Sequence, residues 1–329
     1  MANKKATTGK NLEDIKETIS KNLGKGVIGY LSDDALEIER ISTGILAVDK
    51  IIGGGFARGT FVECYGNPGA GKSLIAQAYS AQVQALDEKV VYIDLEHSLD
   101  PRTLALSGVD IGTLMIAQPE TTEDTLGIIE TLLDATDVGA IIIDSVAGLV
   151  PRSEMVGDYG DSHVGLQARL MSQGLRKLRT KMTAIDSRVT VVWVNQMRSL
   201  IGNVGYGPQT TTTGGKALGF WCSTRLEVSR VKNLGTADNV IGHQVKVKVT
   251  KNRHAPPFQT GTFDVLYESG VSNGSTLLDL AIEAKLVKVS GSWYTDADTG
   301  ESLGQGRVAA AQRIEDDAEL YDKFVQALI

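Results

Sequence analysis

Apolar residues recur at helical spacing near the start of the chain. Leu12, Ile15, Ile19 and Leu23 share one face, which predicts a short amphipathic helix ended by the glycines of Gly24-Lys-Gly26. Between residues 35 and about 272 short apolar runs alternate with helical patterns. Strands are predicted at 60–65, 90–94, 140–144 and 190–195, with helices such as 72–86 and 123–134 between them. Such alternation implies right-handed βαβ units and a parallel sheet. The apolar runs at 224–230, 244–249 and 261–267 are separated by turns instead, and are expected to extend the sheet in an antiparallel sense. From residue 273 the pattern changes again: a helix with its N-cap at Ser275, two short strands and a terminal helix. The expected fold class is α/β with a mostly parallel central sheet, divided into 1–34, 35–272 and 273–329.

Composition narrows the class. The chain has 329 residues, 42% of them hydrophobic, and a mean hydropathy of −0.05, which fits a soluble globular protein. No apolar run approaches the roughly 20 residues that span a bilayer. The lysine-rich residues 1–10 have no apolar core behind them, so a secretion signal is not expected. Two distant cysteines, Cys64 and Cys222, form no CxxC pair. Neither a zinc site nor a disulfide framework is indicated, and a reducing cytoplasm is the expected setting. The net charge of −7 argues mildly against nucleic acid. Average charge is a poor guide when basic residues cluster, so local patterns decide.

The strongest local pattern is Gly66, Asn67, Pro68, Gly69, Ala70, Gly71, Lys72 and Ser73, followed by Leu74. It matches G-x-x-x-x-G-K-[ST] at every fixed position, directly after an apolar strand and at the opening of a helix. Glycines let backbone N–H groups wrap phosphate, and the helix N-terminus adds positive potential. Lys72 is expected to reach the outer phosphates of ATP and Ser73 to bind Mg²⁺. The run Ala140-Ile-Ile-Ile-Asp144 ends a buried strand with a carboxylate at the edge where ligands bind in open α/β sheets. Asp144 is therefore the expected second Mg²⁺ contact. After the strand at 90–94, Asp94 and Glu96 both qualify as the carboxylate that activates water, or as simple caps of the turn at Asp100-Pro101.

Two further segments suit DNA. Residues 164–182 read as a helix with Leu166, Leu170, Met171, Leu175, Leu178 and Met182 on the apolar side. Arg169, Ser172, Gln173 and Arg176 share the other side and could bind phosphate oxygens, although an ordinary solvated face has the same pattern. Residues 197–215 hold five glycines and four consecutive threonines without a sustained period, so a long functional loop is expected.

Taken together the motifs resemble the bacterial RecA recombinase family. The resemblance rests on Ile41-Ser-Thr-Gly44, the phosphate loop, Ile93-Asp-Leu-Glu-His97 with Leu99-Asp-Pro101, Ile143-Asp-Ser145 and Gly160-Asp-Ser-His163. It continues through Met171-Ser-Gln173, Leu175-Arg-Lys177, Asn195-Gln-Met-Arg198, Thr211-Thr-Thr-Gly-Gly215, and Lys251-Asn252 with Ala255-Pro-Pro-Phe258. It implies a RecA-type P-loop NTPase core with a short N-terminal oligomerisation helix and a small α/β C-terminal domain. The implied activity is ATP-dependent pairing and strand exchange, on filaments that bind single-stranded DNA and a homologous duplex. Implied partners include single-strand-binding protein, loading factors and a LexA-type repressor whose cleavage is stimulated. By the same resemblance Glu96 activates water, Gln196 senses the γ-phosphate, and Lys251 and Arg253 reach a neighbour's ATP. Phe220 couples neighbouring subunits. The DNA-binding loops fall at 155–165 and 197–215. Arg169, Ser172, Arg176, Gly214 and Gly215 are the favoured contacts, with Met197, Arg198, Ile201, Thr213 and Lys216 as further candidates.

Several positions depart from the family pattern. Thr103 stands where a tyrosine near the adenine is common, so stacking is expected from Tyr267, with Asp100 nearby. Arg253 replaces a lysine and Lys216 an asparagine, and the second loop is about one residue longer than usual. The chain stops at Ile329 without a long acidic tail, which implies freer DNA loading and would suit a diverged or phage-borne member. A hexameric helicase on the same core, and an ATP-assembled regulatory scaffold, are the rival readings.

Overall fold

The computed structural model describes residues 11–23, 28, 38–157, 165–199 and 210–328. Its internal contacts divide into two units, residues 1–39 and 40–329. In the first, helix α1 (Leu12–Leu23) begins where the Asn11 side chain accepts from the Asp14 N–H at 2.8 Å. Glu13 and Asp14 in its first turn and Lys21 in its last complement the helix dipole. The glycines predicted to end it lie outside the described residues.

The second unit opens with a two-residue ribbon, β1 (Arg40–Ile41) against β2 (Phe56–Ala57), around α2 (Leu46–Ile52). Then come β3 (Phe61–Gly66), α3 (Lys72–Gln84), β4 (Lys89–Asp94), α4 (Pro101–Leu106) and β5 (Met115–Ala117). Next are α5 (Thr122–Leu132), β6 (Val138–Asp144), α6 (Arg152–Met155), α7 (Leu166–Ala184) and β7 (Thr190–Ser199). β8 (Thr210–Thr212), α8 (Ala217–Trp221), β9 (Thr224–Gly235), β10 (Val240–Asn252), β11 (Thr260–Leu266) and β12 (Gly270–Ser272) complete the large sheet. Its strand order is β12-β11-β10-β9-β3-β7-β6-β4-β5, with β8 on β7.

From β9 through β3, β7, β6 and β4 to β5 every pairing is parallel; from β10 outward every pairing is antiparallel. The expectation that all three later strands run antiparallel needs one correction. β9 runs parallel to β3, because α8 first returns the chain to the start of β3, where Ser223 N–H donates to the Phe61 carbonyl at 2.8 Å. The sheet is apolar on both faces. Val62, Cys64, Val192 and Val194 pack with α2 and α3, while Phe61, Ile143, Val191 and Trp193 pack with α5 and α7. Trp193 is fully buried, as expected of an aromatic in an apolar strand.

The C-terminal segment comprises α9 (Asn273–Glu283), the antiparallel strands β13 (Val287–Ser290), β14 (Trp293–Asp296) and β15 (Ser302–Gln305), α10 (Arg307–Asp316) and α11 (Ala318–Leu328). It holds three strands and two closing helices where two strands and one helix were expected. The cap of α9 is also earlier than expected: Ser272 accepts from the Ser275 N–H at 3.2 Å, so Ser275 lies in the first turn. A separate core of Leu277, Leu278, Ala310, Ile314 and Phe324 holds the segment together. Arg307 fastens it to the sheet through Asp264 of β11, with Asp279 of α9 alongside. No helix among the described residues is long and apolar enough to cross a membrane.

Candidate nucleotide and DNA site

Gly66 ends β3, and the phosphate loop runs from it into α3. Gly69 and Gly71 take left-handed φ of 68° and 98°, and a side chain on Gly69 would meet open space where the loop faces outward. The backbone is thereby free to wrap an anion at the start of α3. Lys72 is buried, and its ammonium donates to the Asn67 carbonyl at 2.8 Å, closing the loop on itself. Burial pushes its pKa down, against the opposing pull of Asp144 and Glu96.

Asp144 ends β6 beside this loop. Burial raises its carboxyl, opposed by hydrogen bonds from Ser73 and Tyr92. The Tyr92 hydroxyl reaches Asp144 Oδ2 at 2.8 Å. A hydroxyl and a carboxylate therefore meet at the end of the phosphate loop, a donor set that fits Mg²⁺ completed by phosphate oxygens. Tyr92 did not stand out in the sequence, being one aromatic in an apolar strand.

The alternatives Asp94 and Glu96 separate cleanly. Asp94 is buried and accepts from the Ser98 N–H at 3.2 Å and Gln118 Nε2 at 3.4 Å, so it shapes the turn. Glu96 is exposed, and its Oε1 accepts from Gln196 Nε2 at 2.9 Å and from the Ser145 hydroxyl. Of the two, Glu96 is the one open to solvent. Asp100 caps α4 by accepting from the Arg102 N–H at 2.9 Å. Tyr267 follows β11 with its ring half exposed. Arg230 donates to its hydroxyl at 3.1 Å, and the His243 ring lies 5.9 Å away. Gly270, just beyond, passes so close to the Leu106 carbonyl that an added Cβ would stand 2.6 Å from it. The start of β12 thus closes on α4, the helix that carries Thr103.

The DNA candidates gather on the α7 side of the sheet. Arg169, Ser172 and Arg176 are exposed along α7, whose buried face is Met171, Leu175, Leu178 and Met182. The long loop expected at 197–215 is shorter than that, because both its ends are strand. Met197 pairs with Thr212 and Arg198 with Thr211, and the β-branched threonines suit the pleat. Gly214 and Gly215 follow in left-handed conformations, so tightly set on Val146 and Ala168 that a Cβ would lie 3.0 and 2.9 Å away. Lys216 is exposed where α8 begins. Ile201 and most of the first expected DNA loop, 158–164, lie outside the described residues.

Lys251 and Arg253 converge with Phe220. Lys251 Nζ donates to the carbonyls of Gly219 and Phe220 at 2.8 and 2.9 Å, and Arg253 Nη2 donates to the Phe220 carbonyl at 3.0 Å. The Phe220 ring itself is 70% exposed. Burial and the Arg253 charge lower the pKa of Lys251.

Sequence reasoning also missed a buried polar group between β3, β7 and β9. Glu63 accepts from Asn195 Nδ2 at 2.9 Å and from Arg225 Nε at 2.5 Å, and Arg225 lies over the Tyr65 ring. The available signal was a carboxylate in the middle of the apolar strand Phe61-Val-Glu-Cys-Tyr65, since a buried charge demands partners.

Comparison with known proteins agrees with this fold. Residues 10–272 match the RecA N-terminal domain family and residues 275–329 the RecA C-terminal domain family. The Protein RecA of Herpetosiphon aurantiacus is 42% identical over 307 residues, spanning 93% of this chain and 84% of that protein. The Protein RecA of Corynebacterium aurimucosum is 42% identical over 325 residues, spanning 98% of this chain and 85% of its own length. Among solved structures, the RadB recombinase shares the fold with a TM-score of 0.53 at 20% identity, over 70% of this chain and 98% of its own. With both domain families matched in order and the relatives aligned over nearly the full length, the chain belongs to the RecA family of DNA-dependent ATPases and recombinases.

Proposed function

We propose that this chain assembles as an ATP-bound, Mg²⁺-dependent filament on single-stranded DNA, and within it pairs and exchanges strands with a homologous duplex. In this reading Lys72 and Ser73 bind ATP from one subunit, while Lys251 and Arg253 reach it from the next. Phe220 enters the neighbour's surface. Residues 1–34 act as the oligomerisation helix, 35–272 as the motor and 273–329 as the small accessory domain. Mg²⁺, held by Ser73 and Asp144, would neutralise phosphate charge. Glu96 would take the proton of the attacking water, with Gln196 holding the carboxylate in place until phosphate arrives.

One observation carries the proposal: the hydrogen bond between Glu96 and Gln196. It ties the water-activating carboxylate to the strand that continues into the DNA-facing ribbon of β7 and β8. Hydrolysis and DNA contact are then two ends of one strand. Backbone and hydroxyl contacts from that ribbon suit a protein that accepts any sequence, because they position DNA without reading bases.

The test is strand exchange with labelled single-stranded DNA, ATP and Mg²⁺, against homologous and non-homologous duplexes. Product confined to the homologous duplex and lost in Lys72→Ala supports the reading. Equal unwinding of both duplexes would make the chain a helicase, and DNA binding with no reaction would make it a scaffold. Whether it stimulates repressor cleavage is read by adding a LexA-type repressor to the same filaments.

A further inference from the structure

β7 ends in two polar residues whose side chains leave opposite faces of the sheet. Val194 packs with α3 and Trp193 with α7, which places Gln196 on the α3 face and Asn195 on the α7 face. Gln196 meets Glu96. Asn195, fully buried, turns away from the nucleotide.

Every polar group of the Asn195 side chain is used. Its Nδ2 donates to Glu63 Oε1 at 2.9 Å and to the Thr213 carbonyl at 3.0 Å, and its Oδ1 accepts from the Gln196 N–H at 2.8 Å. Glu63 is in turn held by Arg225. The Thr213 N–H donates to the Gln196 carbonyl at 3.3 Å, so the Thr213 residue is gripped at both its N–H and its carbonyl. The next residues are Gly214 and Gly215, pressed onto Val146 and Ala168. One end of the DNA-facing segment is thus pinned to the core, while the other, Met197 and Arg198, continues directly from Gln196. A buried ionic group of this kind gives little stability over well-packed apolar residues, whereas it can enforce one register.

We propose that Asn195, oriented by Glu63, is the positioning residue that fixes where Gly214 and Gly215 present their backbone to DNA. The proposal rests on the DNA role assigned above to this segment.

The test uses the full-length protein and two equilibrium titrations. Binding of a fluorescein-labelled oligo-dT is followed by anisotropy with a non-hydrolysed ATP analogue present, and binding of a fluorescent ATP is followed without DNA. In Asn195→Ala the oligonucleotide affinity should fall about tenfold while the nucleotide affinity stays within about twofold, a split that general loosening of the fold would not produce. Should Asn195→Ala fail to give a cooperative thermal transition, Glu63→Gln, which disturbs the orientation of Asn195 from the far side, must show the same split. Unchanged oligonucleotide affinity, or loss of both affinities in proportion, overturns the proposal. A wild-type protein that binds the fluorescent ATP but not oligo-dT overturns the DNA reading, and this proposal with it.

Discussion

Gln196 donates to Glu96 at 2.9 Å across the cleft between the ends of β7 and β4, two residues 100 positions apart in the chain. This contact occupies Oε1 of the carboxylate, which the Ser145 hydroxyl also reaches. In the reading proposed above, the protein at rest therefore holds its general base engaged. Contact of Gln196 with the γ-phosphate would release it.

Removing the base should separate binding from turnover. Glu96→Gln retains a hydrogen-bonding side chain of the same length but cannot take a proton. Phosphate release in the presence of DNA should fall about 100-fold or more, the usual scale of general-base loss. Filament formation, followed by light scattering, should persist or last longer. Near-normal phosphate release would assign the base elsewhere.

Arg307 is one of the ties of the C-terminal segment to the large sheet, beside the Asn273 bonds to Leu46 and Gly44. Its guanidinium satisfies Asp264, which is almost completely buried in β11, and pairs with Asp279 at 2.6 Å. Arg307→Ala leaves the Asp264 charge with only the Gln244 amide, which donates to it at 3.0 Å, and should cost about 3 kcal/mol. Urea denaturation reads this as a lower midpoint, and Arg307→Ala with Asp264→Asn together should recover part of the loss.

Two histidines should make stability pH-dependent. His243 has no hydrogen bond to either ring nitrogen and His254 none to Nε2. Burial lowers both pKa values, with Arg230 adding to the effect at His243 and Arg40, Arg253 and Arg179 at His254. The unfolded chain then takes up protons before the folded one. The contribution is fully present above the unfolded value of about 6.5 and is lost as pH falls from there through the folded values. Denaturation midpoints should drop less steeply between about pH 7 and pH 5 in His243→Gln/His254→Gln than in the wild type. Parallel curves would show that carboxylates alone set the slope.

Both thiols are sealed in the core. Cys64 is pushed up to about 12 by burial and the neighbouring Glu63, and Cys222 is raised by the same causes. Iodoacetamide at about pH 8 should leave the folded protein unmodified, since the thiolate is the nucleophile, and should label two sites after denaturation. Mass spectrometry distinguishes the outcomes directly.

Much of this architecture was legible in the residues. The phosphate loop announced itself because its job is done by backbone geometry, which glycine spacing records. Strand positions followed from apolar runs, because both faces of a parallel sheet are buried. Asp144 followed from its place at a strand end. What stayed hidden depends on proximity between distant segments. Nothing in the spacing says that Tyr92 holds Asp144, or that Glu96 rather than Asp94 faces the cleft. The parallel course of β9 depends on a short helix turning the chain back, and strand propensity does not encode direction. The threonines of β8 looked like loop because their partner, the end of β7, lies beyond the part that reads as strand.

The divided loyalty of Asn195 and Gln196 has a consequence for how the gene can change. A pleated strand assigns faces by counting, so inserting or deleting one residue within β7 ahead of Asn195 would send every later side chain to the opposite face. Gln196 would move to the face of Glu63 and Asn195 to the face of Glu96, and in the reading proposed above the nucleotide end and the DNA end would both fail at once. The same insertion placed after Ser199 leaves both side chains where they are. Lineages of this protein should therefore accumulate length changes between positions 199 and 210 and essentially none between 190 and 196. A family-wide record of insertions would then trace the pleat without any structure at all.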